Sequence, residues 1–496
     1  MFRSKMLIVW GLLACAAGVL VSLNGCGGSR SISHGGPPPP PGKIQHVVII
    51  FQENRTPDNL FHDPVLIGRG ADIASSGVNS NGKTIQLTPI DLGTTGSKPQ
   101  NYDLSHAHSA FLEMYNGGGM NGADQIGCTP AADCPPNAHP NPQFKYVLPS
   151  DVQPYFALAE QYTFGDRMFQ TNQGPSMPAH QYIIAGTSWD GVSGSNLSEA
   201  ENPFLPDNLG GQAGAGDNAG CSSPPSETVR MIDVTNPDPT TNETTSVYPC
   251  FDHATLIDLL DAQQISWRYY ANVTTCAPAT PCPTGIWVGP NAIQHICQPN
   301  AAPPNGTACN GAEWASNVLP GPQVLTDISN GQLPAVSWVI PDGKESDHAL
   351  SNTGEGPSWV ASIVNAIGTS QYWDNTAIII AWDDWGGWYD HVAPPSIRNS
   401  YEYGFRVPLI VVSPYAKAAY ISHTTHDFGS ILHFIESVFG LSTIGPNAGF
   451  ADSRADDLSD CFNFSQTPLT FSVIPSEYDA NHFLNDRRPA VDPDDD

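Results

Sequence analysis

Three short apolar runs organise the chain: HVVIIF at 46–51, VSWVIP at 336–341 and TAIIIAW at 376–382. Each is continuous and rich in β-branched residues, which is how a parallel strand buried on both faces reads. Between and after them the period changes. DHATLIDLLDAQQ (252–264) is amphipathic, ISWRYYANV (265–273) reads as a strand, and Trp359, Ile363, Val364 and Ile367 share one face of a helix predicted over 358–368. A strand at 407–413 and a helix at 428–440 complete the pattern. Alternating strands and helices predict an α/β fold, a mostly parallel central sheet sandwiched by helices. Residues 62–150, 190–250 and 275–330 are rich in Gly, Asn, Pro and Ser and read as long structured loop insertions.

The polar residues directly after these runs are the chemical candidates. TAIIIAW leads into Asp383 and Asp384 and then breaks at Gly386 and Gly387; HVVIIF leads into Gln52, Glu53 and Asn54; VSWVIP leads into Asp342, Asp347 and His348. In open α/β sheets ligands bind outside the carboxyl ends of the strands. Hard oxygen donors gathered there predict a site for one divalent metal ion. GPSMPAHQYIIAGTS (174–188) reads as a tight turn entering a helix, with Ser176 just ahead of it and Pro178 in the first turn. Ser176 is either a helix N-cap or a nucleophile placed where free N–H groups and the helix dipole favour an oxyanion. A serine needs a base or a metal to react, and GPSMP lacks the second glycine of a GxSxG elbow, so metal activation fits better. Glu53, Asn54, Asp383, Asp384 and the Ser176 oxygen then supply five ligands without any cysteine.

Composition narrows the partners and the compartment. With 19 basic and 48 acidic residues the 496-residue chain has a formal net charge of −29, which excludes nucleic acid as a bulk-charge partner while leaving room for a small phosphate ester held by a metal. Met1 to Lys5 are positive, Met6 to Leu23 apolar, and Cys26 follows small residues, so residues 1–25 resemble a bacterial lipoprotein signal and Cys26 a lipid-anchoring point. Residues 26–43, with five consecutive prolines at 37–41, read as a linker, 44–480 as the catalytic domain and 481–496 as an acidic tail. This organisation predicts an exported protein, anchored to the envelope or secreted. Of the 11 cysteines, Cys15 and Cys26 fall to the leader, and disulfides are expected between Cys128 and Cys134, Cys221 and Cys250, Cys276 and Cys282, and Cys297 and Cys309, leaving Cys461 over.

Several blocks in a fixed order carry a family likeness. IIFQENRTPDNLF (49–61), DLSHAHSAFLEMYNGGGMNG (103–122), GDRMFQTNQGPSMPAHQYIIAGTS (165–188), WDDWGGWYDHVAPP (382–395), RVPLIVVSPYAK (406–417) and SILHFIESVFGL (430–441) resemble the bacterial phospholipase C and acid phosphatase phosphoesterases of the alkaline-phosphatase-like superfamily. The resemblance covers about residues 44–465. It implies Glu53, Asn54, Asp383 and Asp384 as metal ligands, Ser176 as nucleophile and further ligand, and Asn54, His106 and His348 as donors to the phosphoryl oxygens or the leaving group. Many relatives read YDHTS where this chain has HDFGS (426–430), so Phe428 stands in place of a histidine. His108, His180, His391 and His426 are expected to be structural.

The implied reaction is hydrolysis of phosphoric esters through a phosphoserine. The chain ends soon after the family blocks, which favours an acid-phosphatase-like enzyme on small monoesters; release of phospholipid head groups and a catalytically inactive surface binding lipoprotein are the alternatives. Sulfatase chemistry is disfavoured, because GPSMPAH has no arginine in the required context.

Overall fold

A computed structural model of the chain describes residues 39–129, 140–191, 204–206, 220–234, 236, 238, 241–243, 245–273, 285–350, 353–395, 401–445 and 450–490, all within the unit Ser33–Asp496. The leader, Cys26 and the proline run up to residue 38 lie outside the described residues. No helix of the described residues is long and apolar enough to cross a membrane.

Eight strands form the central sheet: β1 (His46–Gln52), β2 (Thr163–Gly165), β3 (Trp267–Ala271), β4 (Val318–Pro320), β5 (Val336–Val339), β6 (Thr376–Trp382), β7 (Leu409–Val412) and β8 (Tyr420–Ser422). Their spatial order is β4-β3-β5-β1-β6-β7-β2-β8. All neighbours pair in parallel except β7, which runs antiparallel to both β6 and β2. The expected mostly parallel sheet is thus present, with one reversed strand. The three apolar runs of the sequence are its centre, β5, β1 and β6 side by side with their carboxyl ends on one edge.

Helices cover both faces, as continuous apolar strands require. α1 (Gln153–Gln161), α4 (Gln323–Ser329) and α5 (Gly356–Gly368) pack together, while α2 (Ser176–Ala185), α3 (Leu256–Ala262) and α6 (Phe428–Phe439) form a second group. α3 and α6 each begin with a capping box, from Thr255 with Asp258 and from Asp427 with Ser430. The 62–150 insertion has a core of its own, absent from the sequence reading. Ile85, Tyr102, Phe111, Met114 and Phe144 bury themselves against Trp385, Trp388 and Phe405, so this insertion is anchored on the acid block. Disulfides join Cys221 to Cys250 and Cys297 to Cys309, and Cys461 is a buried free thiol. The expected partners Cys134, Cys276 and Cys282 lie outside the described residues.

Candidate active site

The pleat of two neighbouring strands sets the site. Phe51 pairs with Ala381 and Gln52 with Trp382 across β1 and β6. Side chains alternate along a strand. Trp382 faces Tyr155 of α1, whereas Phe51 packs on His180 of α2 and Phe428 of α6. Glu53 and Asp383, two residues beyond Phe51 and Ala381, therefore fall on the α2 side. Asp383 N extends the ladder by donating to Gln52 O at 2.8 Å. There His180 Nε2 lies 3.5 Å from Glu53 Oε1 and 3.8 Å from Asp383 Oδ2.

The turns after the strands fix the remaining oxygens. Asp383 Oδ1 accepts from Asn54 N at 2.9 Å and from Asp384 N at 2.6 Å, which leaves Oδ2 turned toward His180. Asn54 holds the left-handed conformation (φ 59°), tolerated by asparagine and common where a site constrains the backbone. Gly386 (φ +62°) is required where it stands, because a Cβ there would meet Asn54 O at 2.4 Å.

Ser176 arrives on the other chain segment. The structure makes it the first residue of α2 rather than its cap: Pro175 is the N-cap and offers no side-chain bond. The preceding loop is shaped by its own side chains, with Gln170 Nε2 and Asn172 Nδ2 each donating to Gly174 O at 2.9 Å. Ser176 Oγ donates to Asp384 Oδ2 at 3.0 Å, and Asp384 Oδ1 accepts from Gly386 N at 2.6 Å.

His106 and His348 flank this pair, their ring centroids 5.8 Å apart. Each Nδ1 bonds a backbone carbonyl, Leu104 O at 2.8 Å and Ala349 O at 2.7 Å. A carbonyl only accepts, so Nδ1 carries the proton and a neutral ring presents Nε2 as an acceptor. His106 Nε2 lies 3.3 Å from Asn54 Nδ2 and 4.0 Å from Asp384 Oδ2. Donation from either Nε2 to a substrate therefore requires the imidazolium.

All these groups are buried. Burial, and then the charge of Asp383, push the Asp384 carboxyl well above the usual carboxylate range. Burial pushes His180 down to about 4, against the pull of Asp383, so its ring is neutral. Among the described residues the ionic neighbours of Asp383 and Asp384 are histidines, and Asp383 Oδ2, Asn54 Oδ1 and His180 Nε2 have no hydrogen-bond partner. Buried oxygens beside a neutral imidazole are the kind of donor set that a divalent cation takes. Glu53, His180 and Asp383 have donor atoms within 4.8 Å of one another.

The predicted residues Glu53, Asn54, His106, Ser176, His348, Asp383 and Asp384 are thus neighbours in space. His180 is the residue that sequence reasoning assigned to structure. Its signal was its place four positions after Ser176, one helical turn along the same face. Two strand-end acids stay apart from the cluster: Asp347 accepts from Tyr155 Oη at 2.9 Å and Trp382 Nε1 at 3.0 Å, and Asp342 is paired with Lys344. His108, His391 and His426 pair with Glu243, Asp58 and Asp456 respectively. Phe428, at the position of the relatives' histidine, packs on Phe51 instead.

A model described as the Phosphoesterase family matches residues 44–442. The chain belongs to the Phosphoesterase family. Related Phosphoesterase-like sequences include the non-hemolytic phospholipase C of Burkholderia pseudomallei, 25% identical over 478 residues that cover 87% of this chain and 61% of that protein. The non-hemolytic phospholipase C of Pseudomonas aeruginosa is 23% identical over 85% of this chain and 57% of its own length. Phospholipase C B of Mycobacterium tuberculosis is 28% identical over 42% of this chain and 43% of its own. The aligned region therefore spans less than two thirds of each of these relatives. A solved protein of the alkaline phosphatase superfamily from Vibrio parahaemolyticus covers 86% of this chain and 72% of its own at 11% identity, with a TM-score of 0.33, an overlap too loose to bear on the chemistry.

Proposed function

We propose that this protein hydrolyses phosphoric esters with Ser176 as nucleophile. The observation that carries the reading is the Ser176 Oγ to Asp384 Oδ2 contact of 3.0 Å, made at the start of α2 beside the Glu53, His180 and Asp383 group. Ser176 Oγ attacks phosphorus, the ester oxygen leaves with a proton, and a phosphoserine forms; water then attacks the same phosphorus and returns Ser176. Asp384 Oδ2 holds the hydroxyl proton and directs the lone pair into the site. N–H groups of the first turn of α2 and the Asn54 amide would stabilise the developing charge, and protonated His106 or His348 would donate to the leaving oxygen.

Glu53, Asn54, Asp383, Asp384 and Ser176 would hold a divalent cation, with His180 as a sixth donor or as the base that orients Glu53 and Asp383. When bound, such an ion offsets phosphoryl charge and lowers the pKa of a coordinated hydroxyl. Phosphoryl transfer depends on positioning and charge stabilisation, which suits a site built on rigid strand ends.

For the substrate class, the phospholipase C relatives favour phospholipid head-group esters over the small monoesters expected from the sequence. The disulfides Cys221–Cys250 and Cys297–Cys309 support a location outside the reducing cytoplasm. Turnover of p-nitrophenylphosphorylcholine against p-nitrophenyl phosphate by the metal-loaded protein tests the hydrolysis and its substrate class. Preference for the diester supports head-group release, and preference for the monoester restores the phosphatase reading. Metal binding with neither substrate turned over would mean a binding protein that retains only the site.

A further inference from the structure

At the outer edge of the sheet, β8 ends at Ser422, His426 follows four residues later, and the turn Ser459–Cys461 brings Asp460 and Cys461 against it. His426 Nε2 lies 3.2 Å from Asp460 Oδ1, 3.2 Å from Ser422 Oγ and 3.9 Å from Cys461 Sγ, and Cys461 Sγ lies 3.6 Å from Asp460 Oδ1. Donors arranged tetrahedrally around a zinc ion, at about 2.0 Å for nitrogen and oxygen and about 2.3 Å for sulfur, are separated by about 3.3 to 3.6 Å. The other ring nitrogen, His426 Nδ1, is 2.8 Å from Asp456 Oδ1. A carboxylate behind the imidazole is the usual means of orienting a metal-ligating histidine.

We propose that His426, Asp460 and Cys461 form a second cation site, with its fourth position at Ser422 and a preference for a zinc-type ion. Nitrogen, carboxylate and thiolate together select a borderline-soft metal, unlike the oxygen-rich group around Asp383. The cluster of Asp58, Asp390 and His391 makes a useful contrast. There the Arg406 guanidinium already lies between the carboxylates, bonded to Asp390 Oδ1 at 2.9 Å and to Asp58 Oδ1 at 3.2 Å. No Lys or Arg among the described residues pairs with Asp456 or Asp460, whose ionic neighbour is His426. Asp460 retains 16% side-chain exposure, which gives an ion a way in.

A cation there would fasten two stretches of chain, residues 422–426 and residues 460–461. Phe169 N donates to His426 O at 2.9 Å and Phe428 N to Thr171 Oγ1 at 3.1 Å, so the same corner supports the loop that leads to Ser176. The site is therefore a brace behind the catalytic loop, chemically separate from the hydrolytic centre.

The test uses the full-length protein, loaded with cobalt after chelation. A thiolate-to-cobalt charge-transfer band is expected in the wild type, lost in both Cys461→Ala and the near-isosteric Cys461→Ser, with zinc content in each variant lower by about one ion per chain. Asp383→Asn should keep the band. Absence of the band in the wild type, or its persistence in either folded Cys461 variant with unchanged zinc content, overturns the proposal and leaves His426 as an imidazolium held between Asp456 and Asp460. The readout is independent of any hydrolysis, so it stands or falls apart from the Ser176 reading.

Discussion

The Ser176 hydroxyl meets the Asp384 carboxylate at 3.0 Å although 208 positions separate them in the chain. The contact joins the start of a helix to the end of the strand TAIIIAW, and each partner is fixed independently. Asp384 is locked by the Gly386 N–H at 2.6 Å, and the loop before Ser176 by Gln170 and Asn172.

Replacing the proposed nucleophile tests this contact directly. Ser176→Ala is expected to lower kcat by at least about 10³-fold on whichever p-nitrophenyl substrate is turned over, since the proposed covalent step runs through this hydroxyl. Alanine at the first helical position removes no side-chain cap, so circular dichroism should be unchanged. Near-normal turnover by the purified variant would refute the assignment.

His180 and Asp383 should differ in how their loss is repaired. His180→Gln is expected to weaken metal affinity by about 10- to 100-fold, with activity recovered as metal is added back after chelation. Asp383→Asn removes a buried charge that also orders the Asn54 and Asp384 amides, so added metal should not restore it. Titration of activity against metal concentration separates the two, and an His180→Gln curve superimposable on the wild type would remove His180 from the site.

Stability of the chelated protein should carry a pH signature. Asp384 is raised from 3.8 to about 8, by burial first and Asp383 second. A carboxyl raised in the folded state binds a proton that the unfolded chain has released. Its contribution is complete below 3.8 and is lost as pH climbs toward 8. His180, lowered to about 4, acts oppositely, and its contribution is complete above 6.5. Metal-free Asp384→Asn should therefore gain in Tm over the metal-free wild type between about pH 5 and 8, with the gap widest at the alkaline end. A gap that is flat with pH would contradict the raised carboxyl.

Arg406 supports the same block from behind. Its guanidinium is fully buried between Asp58 and Asp390 and also donates to Asp72 O at 2.8 Å and Asp166 O at 2.9 Å. Truncation leaves the buried Asp390 carboxylate without its cation and Asp58 with His391 alone, so Arg406→Ala should cost about 3–5 kcal/mol in urea unfolding. A loss under about 1 kcal/mol would show that the network is relieved by protonation of Asp58 or Asp390.

The central architecture was legible because continuous β-branched runs have few alternatives in a chain of this length. HVVIIF, VSWVIP and TAIIIAW became adjacent strands, and polar residues after all three meet in the candidate site, with His348 the contribution of VSWVIP. What escaped was whatever depends on partners remote in sequence. Nothing local distinguishes Asp347, tied up by Tyr155 and Trp382, from Asp383, or marks β7 as the strand that reverses.

Sequence alone determined the residue types, the strand-end placement of Glu53 and Asp383, and the glycines that allow the turn after them, since these follow from local period and backbone freedom. Only the tertiary structure decided that His180 faces those carboxylates and that Ser176 opens its helix against Asp384. Those facts depend on which face of β1 and β6 receives α2, and that choice is made by the packing of Phe51 between His180 and Phe428.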